Sequence, residues 1–231
     1  ITFLEGWRVE EVAQQASTKF SNVNYQRFVD LAKDYESMLF PDTYEFNSDA
    51  NEETIIDTMR TNFATRTQDL LTDANLAKVG LTKDQVVILA SIVEREVVTE
   101  NDRKMVAGIL LKRFKEGMTL GADATTQYAV GVYHICTDYP CIFTSHCKVG
   151  MDSNTRKNVD ECIDSRGYSK INVESKLEWW VKTLDADDLL IDSPYNTRKV
   201  VGLPPKPICS PGLSSIKAVI ESQSTDFYYY L

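Results

Sequence analysis

Apolar positions recur at helical spacing over several stretches of the chain and lose that spacing in others. The first stretch opens with an extended ITFLEGW, followed by predicted helices near 9–17 and 25–37. Pro41 breaks the pattern, and residues 43–46 read as a strand. The outcome is a β-α-α-β unit small enough to be a binding module. Asp49, three residues ahead of Glu52, opens a predicted helix that carries Ile55, Ile56, Met59 and Phe63. Thr82 and Gln85 make a second capping pair, and the apolar run behind them predicts a helix reaching about Thr99. Asp102 is the predicted cap of a helix bearing Met105, Val106, Ile109, Leu110 and Phe114, which Gly117 stops. A short extended MTLGA follows, and Asp123 is placed to cap a brief helix through Ala129.

Between 132 and 174 the periodicity disappears, and a stretch of that length without regular pattern is usually an insertion or a functional loop. Order returns with a predicted helix near 177–184 and with the Pro-bounded segments SPYNT and GLPPKPI. Ser210 and Pro211 suit the cap and first turn of a helix over 213–221. The closing FYYYL is strand-like. The pattern is α+β: the small module, then a mainly helical domain with short strands and a loop insertion.

The 231 residues allow one large domain or a small module attached to a larger one, at roughly 150 residues per domain. Lys and Arg number 25 against 34 Asp and Glu, a net charge of −9. That balance argues against nucleic acid as a partner, because phosphate-tracking proteins gain affinity from clustered cations. No run is apolar enough to span a bilayer and no leader precedes Ile1, which is not a Met. The expectation is a piece of a longer chain whose upstream part holds a membrane anchor.

Four of the five cysteines, Cys136, Cys141, Cys147 and Cys162, fall in the aperiodic stretch together with His134 and His146. Two disulfides in an oxidising compartment are the first reading, and their pairing stays open. A zinc site is the second, weakened by the absence of a C-x2-C knuckle. Cys209 stands apart and reads as a small buried thiol.

Among many surface carboxylates one position differs. On a helical wheel Glu94 lies between Ala90 and Val87, with Val98 one turn on, while Glu96 lies about 160° round between Leu89 and Ile92. Apolar surroundings favour a protonated carboxylic acid, the form a general acid needs near neutrality. A buried carboxylate paired with an arginine is the competing reading. The angle excludes a two-carboxylate glycosidase built from Glu94 and Glu96, since that chemistry needs both groups about one bond.

YESMLFPDTYEF, ILASIVERE, VAGILLKRFKEGMTLGADATTQYAVG, IDSPYNT, GLPPKPICSPGLSSIKA and the final FYYYL occur in this order. Together they resemble the motifs of the YceG-like family of endolytic murein transglycosylases. The resemblance implies a LysM-like module at 1–46 and a catalytic domain at 47–231, with the Cys/His-rich insertion at 132–174. It also implies non-hydrolytic cleavage of the MurNAc–GlcNAc bond in nascent peptidoglycan, leaving 1,6-anhydro ends and terminating glycan elongation. Glu94 matches the family's essential glutamate. One carboxyl can serve both steps because the nucleophile is the sugar's own C6 hydroxyl, and no metal or other cofactor is called for.

Tyr195, Asn196 and Thr197, with Asp123, Thr125 and Gln127, match blocks beside the family's cleft and are the candidate substrate-binding residues. The implied partners are glycan strands and peptidoglycan synthases. The implied location is the cytoplasmic membrane, anchored by a single upstream helix with the catalytic domain outside. The chain departs from the family pattern at Ala124, Arg198, Lys206 and Ser210, which motivates a second reading: a catalytically inactive glycan-binding or scaffolding regulator of synthases.

Overall fold

The computed structural model describes residues 1–97, 99–138 and 179–230. They fall into two compact units, Ile1–Leu120 with Val201–Leu231, and Gly121–Val200. Among the described residues the first is mainly helical, and the second holds one helix and a 3-10 turn. Where short strands were expected, the described residues pair in isolated antiparallel bridges, Thr2 with Thr43 and Thr119 with Val201.

In the first unit α1 (Val9–Lys19) and α2 (Tyr25–Ala32) pack on each other, and α2 packs on α3 (Glu52–Thr67). The Thr2–Thr43 bridge brackets α1 and α2, with Phe3 N–H donating to Asp42 O at 3.0 Å and Tyr44 N–H to Ile1 O at 2.8 Å. Pairing stops there, so the strand predicted over 43–46 amounts to one bridge. The cap of α3 is Asn51, whose Oδ1 takes the Thr54 N–H at 3.0 Å. Asp49 has no such role, because the Glu52 carboxylate instead reaches across to the Asn24 N–H at 2.7 Å.

The helix α4 (Asp73–Val79) was not predicted, although Thr72 caps it and Gly80 ends it at φ 69°. Next comes α5 (Lys83–Glu96), opened by the predicted capping box: Thr82 N–H donates to Gln85 Oε1 at 2.9 Å and Gln85 N–H to Thr82 Oγ1 at 3.2 Å. Val86 to Val93 are all buried, the pattern of a helix surrounded by protein. Around it lie α6 (Glu100–Lys115) and α8 (Leu213–Ile220), which also pack on each other. Each fully buried Leu, Ile or Val here contributes about 2 kcal/mol. α6 starts a turn earlier than predicted, since Thr99 caps it by accepting the Asp102 N–H at 3.3 Å. Gly212 caps α8 in place of Ser210, whose hydroxyl is committed to Glu36 O at 2.7 Å. The terminal aromatics form no strand among the described residues: Tyr228 lies against the Lys112 ammonium and Tyr229 against the Arg113 guanidinium.

In the second unit α7 (Asp123–Asp138) runs well past Ala129. It contacts the 3-10 turn Asp188–Leu190. Residues 179–184, where the end of a helix was predicted, are not helical, and 177–178 lie outside the described residues.

Burial in the first unit includes charge. Arg8 and Glu10 are both fully buried and paired, Nε to Oε2 at 3.2 Å. Glu36 joins them, accepting the Val9 N–H at 2.8 Å. Desolvation first, and the charge of Glu10 second, push the Glu36 carboxyl well up, against the pull of Arg8 and the Val9 N–H. An acid raised in the folded state favours folding fully below its unfolded pKa, about 4.3, and that contribution is lost as pH rises toward the folded value. Glu36→Gln removes the dependence. Its melting temperature should exceed the parent's by more at pH 8 than at pH 5, and a gap that is constant or reversed would contradict the assignment.

Candidate active site

Ser91 and Glu94, three residues apart on α5, share a face of the helix. Ser91 organises the loop that approaches that face. Its Oγ donates to Ile88 O at 2.7 Å and accepts the Ile208 N–H at 3.1 Å, and its carbonyl takes the Cys209 thiol at 3.3 Å. Cys209 is free and buried, as expected of it, and burial pushes its thiol well up, which suits packing rather than nucleophilic attack.

Ser210 then joins the loop to the N-terminal segment. Its N–H donates to Trp7 O at 2.8 Å, and the Gly6 N–H donates to its carbonyl at 2.9 Å. Two residues on, the chain enters α8, and the Gly212 N–H points at Glu94 Oε2, 2.8 Å away. The other oxygen of Glu94 receives Arg103 Nη2 at 3.2 Å. Arg103 comes from the first turn of α6, and its Nη1 donates to Ser214 Oγ at 2.8 Å. Glu94 therefore has an arginine partner, the alternative left open by its position on the wheel. The Glu94 side chain is 5% exposed and that of Arg103 14%. Both contacts are donors, so the arrangement is complementary to a carboxylate, the form that acts as a base. Neither Arg103 nor the Gly212 N–H stands out in the sequence, one being an ordinary helix charge and the other a backbone group.

Two aromatic side chains of the first unit, Tyr44 and Trp7, have structural contacts. Tyr44 is buried, with its hydroxyl donating to Phe40 O at 2.7 Å and accepting Asn62 Nδ2 at 2.9 Å. Trp7 stands edge-on to Phe3.

The remaining candidates lie in the second unit. Thr125, Asn196 and Thr197 are buried there. Thr125 Oγ1 donates to Ala122 O at 2.8 Å and lies 2.7 Å from Thr197 Oγ1, which in turn accepts the Ala122 N–H at 3.2 Å. Asn196 holds its own loop together, donating to Leu189 O at 3.1 Å and Ile191 O at 2.9 Å. These hydroxyl and amide groups thus join SPYNT to the start of α7. Asp123, Gln127 and Tyr195 keep surface. Asp123 pairs with Arg198, and the Tyr195 ring lies 4.6 Å from that of Tyr128.

His134 and Cys136 fall in the last turns of α7, while Cys141, His146, Cys147 and Cys162 lie outside the described residues. No cluster of metal-binding side chains occurs among the described residues.

Comparison with known proteins adds three findings. The YceG-like family pattern matches residues 1–231. Two proteins named endolytic murein transglycosylase, from Bacillus subtilis strain 168 and Streptococcus pneumoniae R6, are 29% and 28% identical over 197 residues, 85% of this chain. The chain spans 41% and 28% of their lengths, less than half of either. In fold, the crystal structure of a yceG-like protein from Listeria monocytogenes superposes with a TM-score of 0.69 at 22% identity, covering 100% of this chain and 69% of that one.

The pairing at Glu94 has a measurable consequence. Arg103→Met leaves the buried carboxylate without its cation and should cost about 3 kcal/mol in urea unfolding. Combined with Glu94→Gln, the loss should be clearly smaller than the sum of the two single losses. Additive losses would mean that the two groups are not coupled.

Proposed function

The chain belongs to the YceG-like family, and from that premise we propose that it is an endolytic lytic transglycosylase of peptidoglycan with Glu94 as its essential carboxyl. It cleaves the MurNAc–GlcNAc bond of nascent glycan strands without water, leaves 1,6-anhydroMurNAc ends and so terminates elongation. As an acid, Glu94 can give a proton to the departing glycosidic oxygen. As a carboxylate, it can take the proton of the C6 hydroxyl while that oxygen closes on C1. Proton transfer by a positioned carboxyl contributes about 10²- to 10⁴-fold to rate.

The observation that carries this reading is the placement of Glu94 on a rigid buried helix, with one oxygen on a backbone N–H and the other on Arg103. A base aimed by two fixed donors loses little orientation when it acts. The names of the curated relatives support the substrate class. We place the activity at the outer side of the cytoplasmic membrane, where nascent strands and their synthases are. No helix among the described residues is long and apolar enough to cross a membrane. The small module at 1–46 would hold the strand, and Asp123, Gln127 and Tyr195 of the second unit are proposed to contact sugar.

A second reading, a glycan-binding regulator of synthases without catalysis, draws on the slight exposure of Glu94 and the engagement of both its oxygens. Product analysis separates the two. Incubated with uncrosslinked strands, the parent should generate 1,6-anhydro ends detectable by mass spectrometry, and Glu94→Gln should lower their formation at least about 100-fold. Anhydro ends formed equally well by Glu94→Gln would remove Glu94 from the chemistry. Strand binding with no such ends from either protein would favour the regulator.

A further inference from the structure

Glu94 is almost covered, yet a group that protonates a glycosidic oxygen has to reach it. The surface above Glu94 belongs to the N-terminal segment. Gly6 turns there at φ 77°, a conformation that suits glycine, and a side chain at that position would meet Arg95 at 3.4 Å and Glu94 Cγ at 3.8 Å. The turn is fixed by the two backbone hydrogen bonds between Gly6, Trp7 and Ser210. It carries Glu5, an exposed residue, onto Gly212.

The approach is close: a Cβ on Gly212 would lie 1.9 Å from Glu5 Oε1 and 2.2 Å from its Cδ. Only a residue without a side chain admits Glu5 at this point. The same glycine gives its N–H to Glu94. Two carboxyl groups from distant parts of the chain therefore converge on Gly212, one covered and one open to solvent.

We propose that Glu5 is a second catalytic carboxyl of this site, delivering the proton to the glycosidic oxygen while Glu94 acts as the base. The proposal rests on the lytic transglycosylase reading and divides its two proton transfers between two groups. Glu5 gives its proton to the bridging oxygen as the bond from that oxygen to C1 of MurNAc breaks, so the departing sugar leaves with a hydroxyl. The Glu94 carboxylate takes the proton of the C6 hydroxyl as O6 bonds to C1. Return of that proton from Glu94 to Glu5 restores the starting state, and no water is consumed.

The surroundings of the two groups differ in the direction this division needs. Glu94 faces Arg103 and the Gly212 N–H. The charged groups acting on Glu5 are Glu94 from α5 and Arg103 from α6, with Arg95 beside Gly6. Desolvation first, and the charge of Glu94 second, push the Glu5 carboxyl up, with Arg103 pulling against them.

The test uses anhydro-end formation from uncrosslinked strands across pH, for the parent, Glu5→Gln, Glu5→Asp and Gly212→Ala, with melting temperature and strand binding measured in parallel. The parent should lose activity as pH rises through the raised pKa of Glu5. Glu5→Gln should cut kcat about 100-fold or more, flatten that descending limb, and leave binding and melting unchanged. Glu5→Asp should restore part of the rate, and Gly212→Ala, which displaces Glu5 without altering any charge, should lose activity as well. If Glu5→Gln and Gly212→Ala keep the parent's rate and pH profile while Glu94→Gln is inactive, the proposal falls and the transglycosylase reading stands. A slow Glu5→Gln whose pH profile matches the parent's also overturns it, since the role is then structural. A parent that forms no anhydro ends overturns both.

Discussion

A carboxylate taken out of water must be met by donors, and in this protein that requirement joins parts of the chain that lie far apart. Glu94 sits on α5, and its answering groups are Arg103 on α6 and the Gly212 N–H at the start of α8. To bring Gly212 there, Ile208 and Cys209 dock on Ser91, one turn earlier on the same face. To hold the far side of that loop, Ser210 bonds to Glu36 O and to the Gly6–Trp7 backbone. Three helices of the first unit, α5, α6 and α8, are thus joined through polar contacts to one side chain. Breaking any of them leaves a buried polar group unmet, which costs about 1–3 kcal/mol and more where charge is involved.

Three glutamates of the first unit illustrate how burial and partners assign roles. Glu36 feels the charge of Arg8, which is paired with Glu10, but desolvation first and the charge of Glu10 second push its carboxyl well up. Glu94 is nearly as covered but meets a guanidinium and an amide, which fix the orientation of its carboxyl oxygens. Glu5 keeps contact with solvent while feeling the charge of Glu94. The same side chain thus meets three different surroundings within one unit.

Much of this framework is legible in the sequence. The Thr82–Gln85 capping box and the apolar run behind it define α5, and flanking by Val87 and Ala90 singles out Glu94 among many acids. The ordered motifs lead to the family that the whole chain matches. The helix caps are less legible, because good cap formers find other work. Ser210 is drawn to Glu36 O, and Glu52 to the Asn24 N–H, so Gly212 and Asn51 cap instead. α4 carried the punctuation of Thr72 and Gly80 but little apolar periodicity to draw attention to it. The partners of Glu94 were hidden for a different reason: a backbone N–H 118 residues away leaves no compositional trace. Glu5 sits in a turn without periodicity, and only the close approach to Gly212 reveals it.

In the proposed reaction strands are cut by the substrate's own hydroxyl, with protein carboxyls moving protons and water excluded from the bond-making step. Running the cleavage in H2(18)O and analysing new ends promptly by mass spectrometry tests this most directly. New ends should carry no 18O. New reducing ends labelled with 18O would contradict it, because water would then be the nucleophile.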